Sequence, residues 1–237
     1  MVVKLDQSHD CRRPDKRSAL RPGRILITGL FVLVVLRLFV LLPVRVVSES
    51  MLPTLHIGDI LLADTTCYGL RLPFFHTRIL DTGLPHRGDV VLFAYPLDKR
   101  RLYLKRVIGL PGDVVLLKGH SLFLNGKQVI MKPTCIQNTA SKGHNGHLAR
   151  EGEEVIADKV HGVLFEGDGP TGKETMRFEV PAGKYFVLGD NRDHSIDSRT
   201  WGFVPAENLV GRPFIILFSW DSVRHHIDWS RTGMHIH

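Results

Sequence analysis

A long apolar run near the N-terminus constrains this chain more than any other feature. Residues 25–42 read ILITGLFVLVVLRLFVLL and contain a single charge, Arg37. As a helix, these eighteen residues extend about 27 Å, close to the roughly 30 Å hydrocarbon core of a bilayer. Arg37 lies near the end of the run, from where its long side chain can reach the interface. We therefore predict a transmembrane anchor over residues 25–42, ended by Pro43.

A cleavable signal peptide and a buried core helix are the competing explanations of this run. It is longer than the usual apolar region of a signal peptide, and residues 43–47 contain no A-x-A cleavage site. A core helix normally has a polar face, which this run lacks. A retained anchor is the preferred interpretation.

The formal net charge of +7 is concentrated before the apolar run. Residues 1–24 contain seven Lys and Arg against three Asp, so they carry +4 and the rest of the chain only +3. Basic segments mark the cytoplasmic side of membrane anchors. We predict a basic cytoplasmic segment at 1–24 and an exported catalytic domain at 43–237, and we expect no nucleic-acid partner.

After the anchor, the sequence is typical of short antiparallel strands. Apolar, β-branched runs alternate with Gly-Asp and Pro-Gly-Asp turns, and Asn125-Gly126 between two apolar segments predicts a hairpin. Residues 132–178 differ, because they are polar and rich in Gly, His and Lys. We predict a mainly β fold, an antiparallel β-sheet catalytic domain, with a loop-rich variable insertion at 132–178.

The three cysteines give limited information. Cys11, Cys67 and Cys135 form no C-x-x-C pair, which argues against zinc-ribbon and thioredoxin-like sites. Cys67 and Cys135 can form a disulfide in an exported domain, and the sequence alone leaves this possibility open.

Two segments carry side chains suited to nucleophilic catalysis. Ser50 follows the anchor closely, and Lys105 lies in the strand-like segment 101–109, where alternation places Tyr103 and Val107 on the face of Lys105. A serine nucleophile needs a base, and a desolvated lysine can be neutral near pH 7 if its pKa falls by about three units. We expect the adjacent Arg106 to lower this pKa further. The alternatives are a loop hydroxyl and a lysine whose amine reaches water.

A third segment is dense in polar groups. Residues 189–199 read GDNRDHSIDSR and directly follow the apolar run 185–188. A polar turn with surface ion pairs is the simple alternative, but it does not explain so many hydrogen-bonding residues between apolar segments.

Five segments in order resemble the signature motifs of the bacterial type I signal peptidase (leader peptidase) family. They are SESMLPTL at 48–55, GDILLA at 58–63, RGDVVLF at 87–93, YLKRVIGLPGD at 103–113 and GDNRDHSIDSRTWGFVP at 189–205. His194 and Val47 depart from the commonest family pattern, which has Asn and Pro there, and neither removes a catalytic group.

The resemblance implies roles for matching residues. Ser50 would be the nucleophile and Lys105 the general base, which Ser195 would orient. The Ser50 backbone N–H and the Ser48 hydroxyl would form the oxyanion site. Asp197 and Arg199 would form a supporting ion pair.

The resemblance also implies the substrate and the location. Membrane-bound preproteins would be cut after small-x-small sites through an acyl-enzyme on Ser50, at the bacterial inner membrane, with the catalytic domain on the exported side. Partners would be these preproteins and the lipid bilayer. The sequence leaves the oligomeric state open, with a monomer preferred. Other Ser/Lys peptidases and a membrane-tethered scaffold on a degenerate peptidase fold are the rival functions.

Neither a cofactor nor a metal ion is expected. Residues 167–174 approach a phosphate-binding loop, but Glu174 replaces the metal-holding hydroxyl and Pro170 removes a backbone N–H. His144 and His147 lack a third ligand, and the histidines of the tail form only loose pairs.

Overall fold

A computed structural model describes residues 22–71, 78–80, 82–133, 149–166, 175–221 and 225–236. These residues separate into two compact units, one that ends at Val35 and one that begins at Leu36. Most of the predicted basic segment 1–24 lies outside the described residues. So do Cys135, His144, His147 and the segment 167–174, and the possible Cys67–Cys135 disulfide therefore stays a prediction.

Helix α1 spans Pro22–Phe39. The predicted helical anchor extended to residue 42, which is too far, because Leu41 and Leu42 begin a strand that pairs with Asp64 and Ala63. Within the part of the chain that the structure describes, no helix is both long enough and apolar enough to cross a membrane.

The second unit is built from strands, as predicted. They are β1 Leu41–Arg45, β2 Asp59–Asp64, β3 Leu70–Arg71, β4 Arg78–Leu80, β5 Val90–Tyr95, β6 Asp98–Gly109, β7 Val114–Lys118, β8 Ser121–Leu124, β9 Lys127–Gln128, β10 Ile130–Pro133, β11 Ala149–Ile156, β12 Lys159–Glu166, β13 Thr175–Glu179, β14 Lys184–Leu188, β15 Val204–Pro205, β16 Leu209–Asp221 and β17 His226–Asp228. A short helix α2, Ser198–Trp201, and two 3-10 turns, Ala206–Asn208 and Trp229–Arg231, complete the described elements.

The main sheet is antiparallel, in the order β1-β2-β16-β5-β6-β14-β15, with β17 beside β16. Strand β2 shows why such segments form strands, because its residues alternate between buried and half-buried positions. Pro43 lies inside β1, which is an edge strand where the missing N–H of proline is tolerated. The mainly β, antiparallel fold class is confirmed.

Smaller sheets flank the main sheet. Strands β10-β11-β12 form one and β13-β7-β8-β9 another. The predicted hairpin at Asn125-Gly126 is confirmed as the β8–β9 turn, where both residues have positive φ, 51° and 80°. The predicted loop-rich insertion is wrong for residues 149–166, which form the β11–β12 hairpin. Alternating burial along β11 explains the difference, since one face of this polar segment packs inward.

Candidate active site

Ser50 and Lys105 meet although they lie 55 positions apart in the sequence. Strands β5 and β6 pair with Val91 opposite Lys105, and the lysine side chain reaches Ser50 in the turn that follows β1. The Lys105 Nζ lies 2.5 Å from the Ser50 Oγ, within hydrogen-bond distance. Lys105 is only 4% exposed, and its Nζ lies 6.0 Å from the centroid of the Tyr103 ring. This arrangement places an amine beside a hydroxyl in a largely dry environment.

Burial lowers the pKa of Lys105 to about 8. The negative charges of Asp197 and Asp190 oppose this shift, and the positive charge of Arg199 supports it. At pH 7 about one tenth of the amine is therefore unprotonated and able to accept a proton, as a base for serine must, whereas a lysine at its ordinary pKa would be almost fully protonated.

The expectation that Arg106 lowers this pKa is wrong. Strand alternation turns Arg106 to the opposite face of β6, where Asp190 neutralises it. The Arg106 Nη2 lies 2.7 Å from the Asp190 Oδ2, and the two side chains are 0% and 1% exposed. Asp190 also accepts a hydrogen bond from the Thr54 hydroxyl at 2.5 Å. The cation that lowers the lysine pKa is instead Arg199, which the sequence had suggested only as a structural partner.

The turn around Ser50 presents a second hydroxyl and a backbone donor. The Ser48 Oγ lies 3.2 Å from the Ser50 Oγ. The turn is closed by a hydrogen bond of 3.0 Å from the Leu52 N–H to the Glu49 carbonyl. No acceptor among the described residues takes the Ser50 N–H, so this donor is available to a bound group.

The polar segment 189–199 packs against this turn. Asp197 and Arg199 form a two-point ion pair, with Nε–Oδ1 and Nη2–Oδ2 distances of 2.8 Å each. Asp197 also caps α2 and accepts the Gly189 N–H at 3.0 Å. The Ser195 Oγ is buried beside Gly189 and has no hydrogen-bond partner in the described parts of the chain. The structure thus brings Ser195 into the site without a bond between its hydroxyl and Lys105.

One buried ion pair in this region was not predicted from the sequence. Glu154, on the inward face of β11, accepts the Arg192 Nη1 at 3.0 Å, and the His161 Nε2 lies 3.2 Å from the same carboxylate. These contacts hold the pKa of Glu154 down at about 2 against the opposing effect of burial. Strand alternation is the signal that was available, since it places Glu154 on the same face as the buried Ile156. The β11–β12 hairpin is thereby tied to segment 189–199.

An open, mainly apolar cleft of about 300 Å³ borders the Ser50–Lys105 pair. Its walls include Val44, Val46, Leu92, Leu102 and Leu104, with His194 and Ile196 also contributing. No group of three His, Cys, Asp or Glu side chains in the described ranges lies close enough to hold a metal ion.

Comparison with known proteins identifies the relatives of this fold and site. A family profile described as "Signal peptidase, peptidase S26" matches residues 20–219, most of the chain. This chain belongs to the peptidase S26 family of signal peptidases. Signal peptidase I of Pseudomonas fluorescens is 38% identical over 90% of this chain and 78% of that protein. Signal peptidase I of Pseudomonas aeruginosa is 37% identical over 84% of this chain and 72% of that protein.

A solved structure of a signal peptidase I from Enterococcus faecalis is also similar. It is 28% identical, covers 54% of this chain and 96% of that chain, and superposes with a TM-score of 0.33, so the family assignment does not depend on it. As a member of peptidase S26, the chain is a serine endopeptidase that hydrolyses peptide bonds.

Proposed function

We propose that this chain is a membrane-anchored signal peptidase that removes N-terminal signal peptides from exported preproteins, with Ser50 as nucleophile and neutral Lys105 as general base. The observation that carries the proposal is the 2.5 Å approach of the Lys105 Nζ to the Ser50 Oγ, combined with the near-complete burial of the lysine. A lysine that only packed its stem would place its amine in water.

The chemistry follows from this pair. Unprotonated Lys105 accepts the Ser50 proton as Oγ attacks the scissile carbonyl carbon, and the carbonyl π electrons move to oxygen. The Ser50 N–H and the Ser48 hydroxyl donate to that oxyanion, a kind of interaction that typically contributes about 3 kcal/mol per donor. The tetrahedral intermediate collapses to an acyl-enzyme, and the protonated lysine gives its proton to the leaving amine. Water, deprotonated by Lys105, then adds to the acyl carbonyl carbon; the bond from this carbon to Ser50 Oγ breaks, Lys105 returns the proton to Oγ, and the product leaves with a new C-terminal carboxyl group.

Ser195 has a place in the same proposal. Its buried hydroxyl lacks a partner among the described residues. A buried polar group without a hydrogen bond costs free energy, so its presence calls for an explanation. Once Lys105 has accepted a proton, its ammonium group needs acceptors, and we propose that Ser195 is one of them.

The cleft supports an extended substrate with small side chains. Its walls are aliphatic and aromatic, and it borders the edge strand β1, to which an extended peptide can pair. We propose that this cleft selects small residues at the −3 and −1 positions of the cleavage site.

The membrane topology remains part of the proposal. It is supported by the apolar run 25–42 and by the positive charge of residues 1–24. In this arrangement the N-terminus is cytoplasmic, the chain crosses the inner membrane once, and the domain that begins with β1 is on the exported side, beside emerging preproteins.

Cleavage of a preprotein by the detergent-solubilised full chain tests the proposal. The parent should cut after a small-x-small site, whereas Ser50→Ala and Lys105→Ala should each lose at least 10³-fold in kcat. Ser230→Ala and Lys184→Ala are matched controls at exposed positions and should cut normally. If the parent fails on a preprotein that another signal peptidase cuts, the result favours the scaffold alternative and contradicts the proposal. If Ser50→Ala cuts as fast as the parent, Ser50 is not the nucleophile.

A further inference from the structure

Asn191 holds the turn that carries Ser50 at two successive carbonyl groups. Its backbone N–H donates to the Ser50 carbonyl at 3.2 Å, and its side-chain Nδ2 donates to the Glu49 carbonyl at 3.3 Å. Asn191 is 2% exposed, so water competes little for these bonds. Neither the sequence pattern nor the family resemblance indicated a role for this residue.

The hydrogen bond from Asn191 to the Glu49 carbonyl also controls the direction of the Ser50 N–H. The peptide unit is planar and trans, so the Glu49 C=O and the Ser50 N–H lie in one plane and point in opposite directions. A donor that fixes the carbonyl therefore fixes the N–H as well. That N–H is the backbone donor that the described residues leave without an acceptor.

The oxygen of the Asn191 side-chain amide also argues that this residue does more than fill space. Its Oδ1 is buried and lacks a hydrogen-bond partner within the described residues. An unsatisfied buried polar atom costs about 1–3 kcal/mol, and an apolar side chain such as leucine would avoid this cost. An asparagine that served packing alone would gain nothing from its amide here.

We propose that Asn191 is a positioning residue for the oxyanion site: by holding the Glu49 carbonyl, its side chain aims the Ser50 N–H at the oxygen of the tetrahedral intermediate. This inference rests on the proposed function, in which Ser50 is the nucleophile and its N–H an oxyanion donor.

The β11–β12 hairpin supports Asn191 in this role. The Leu164 N–H donates to the Asp190 carbonyl, and the Arg192 N–H donates to the Leu164 carbonyl, both at 2.9 Å. Leu164 thus forms a parallel bridge with Asn191 that fixes the residues on either side of it. The described part of the predicted insertion thereby acts as a backbone support for the catalytic turn.

The expected loss of activity on removal of the Asn191 amide is limited by a second donor to the Glu49 carbonyl. The Leu52 N–H also donates to the Glu49 carbonyl, at 3.0 Å, so removal of the Asn191 amide loosens the peptide plane without freeing it. Complete loss of an oxyanion donor costs roughly 10²–10³ in kcat. For Asn191→Leu we expect a smaller loss, about tenfold in kcat, with KM nearly unchanged because the N–H binds the intermediate more strongly than the substrate.

The test compares Asn191→Leu with Asn208→Leu. Asn208 is a matched control, because it is also buried (3% exposed) and its Nδ2 donates to the backbone carbonyl of Ala94 at 2.9 Å, outside the site. Each variant is assayed for kcat and KM and for binding of two ligands with the same small-x-small sequence, a peptide aldehyde and a peptide amide. Ser50 Oγ adds to the aldehyde carbon, its proton passes to Lys105, and the new alkoxide occupies the oxyanion site, whereas the amide binds without reaction.

The ratio of the two affinities decides the outcome. In Asn191→Leu the aldehyde should bind about tenfold more weakly while the amide binds as in the parent. In Asn208→Leu both affinities should stay unchanged even if the unfolding midpoint falls. Equal weakening of both ligands, or no weakening of the aldehyde, in Asn191→Leu would overturn the proposal.

Two controls separate the possible failures. If Asn191→Leu does not fold, Asn191→Ser takes its place, and if neither folds while Asn208→Leu does, Asn191 is a structural residue and the inference is wrong. The parent must cleave and Ser50→Ala must not. If that condition fails, it is the proposed function that is wrong.

Discussion

Arg106 and Asp190 form an ion pair in which both side chains are buried from solvent. Two guanidinium nitrogens, Nε and Nη2, donate to the two carboxylate oxygens at 2.8 and 2.7 Å, and the third, Nη1, donates to the Gly88 carbonyl at 2.6 Å. The pair joins β6, which carries Lys105, to the segment after β14. The position of Lys105 relative to this segment therefore depends on a contact that is fully buried from solvent.

Removal of one partner of this pair should destabilise the fold strongly. Asp190→Asn leaves the Arg106 charge buried without its counter-ion, and we expect a loss of about 3–5 kcal/mol in the free energy of unfolding. Glu179→Gln is the control, because the Arg177–Glu179 pair is exposed and should contribute less than about 1 kcal/mol. Chemical unfolding of both variants measures the difference. Equal losses would show that burial of the Arg106–Asp190 pair does not govern its contribution.

The pH dependence of cleavage should report the protonation of Lys105. In the proposed mechanism the unprotonated amine is the base, so kcat/KM should rise with pH and level off above about 8, the lowered pKa of Lys105. Arg199→Gln should move this limb to higher pH, since it removes a cation that lowers the pKa and leaves the Asp197 carboxylate, which raises it, unneutralised. Arg199→Lys keeps the charge and is the control. Partial loss of folded enzyme that is the same at every pH lowers kcat/KM without moving the midpoint of this rise. An unchanged midpoint in Arg199→Gln would therefore contradict the role of Arg199 in lowering the pKa of Lys105.

Gly189 should tolerate no side chain. A Cβ at this position would overlap the Ser50 carbonyl and the Ser195 side chain, both inside the site. We expect Gly189→Ala to reduce kcat/KM at least 10²-fold, because the catalytic turn and segment 189–199 must separate. Gly152→Ala is the comparison, since its Cβ would meet the flexible Met131 side chain no closer than 3.4 Å. Near-parental activity in Gly189→Ala would mean that the two segments can move apart without cost.

The Glu154–Arg192 pair should make stability sensitive to acid. The folded-state pKa of Glu154 is about 2, below its ordinary value of 4.5, so its contribution is complete above pH 4.5 and is lost as the pH falls toward 2. Glu154→Gln should therefore lower the unfolding midpoint at pH 6, and its difference from the parent should shrink between pH 4.5 and 2. The exposed neighbour Glu153 provides the control in Glu153→Gln, which should follow the parent at every pH. A constant difference between Glu154→Gln and the parent would show that the ionised carboxylate is not what stabilises the hairpin.

Local sequence patterns predicted part of this structure, but contacts between residues far apart in the sequence could not be predicted from such patterns. Alternation along residues 101–109 was enough to place Tyr103 and Val107 on the face of Lys105, and the Asn-Gly turn was enough to locate a hairpin. The proximity of Ser50 to Lys105 came from the family resemblance, because no local rule relates residues so far apart in sequence.

The pairings of Arg106 with Asp190 and of Glu154 with Arg192 depend on which strands pack together, so the sequence pattern did not reveal them. The end of α1 was missed for a related reason. Leu41 and Leu42 suit a membrane helix as well as they suit a strand, and their pairing with β2 decides between the two.

The hydrogen bond between the Asn191 N–H and the Ser50 carbonyl affects which amino-acid substitutions this site can accept. Both atoms belong to the main chain, as do those that join Leu164 to Asp190 and Arg192. A substitution leaves these donors and acceptors present, unless it introduces proline or, as at Gly189, a side chain that forces the two segments apart. Variants selected for resistance to an inhibitor in the cleft can therefore change wall residues such as Leu102 or His194 without removing the main-chain bonds that hold the Ser50 turn.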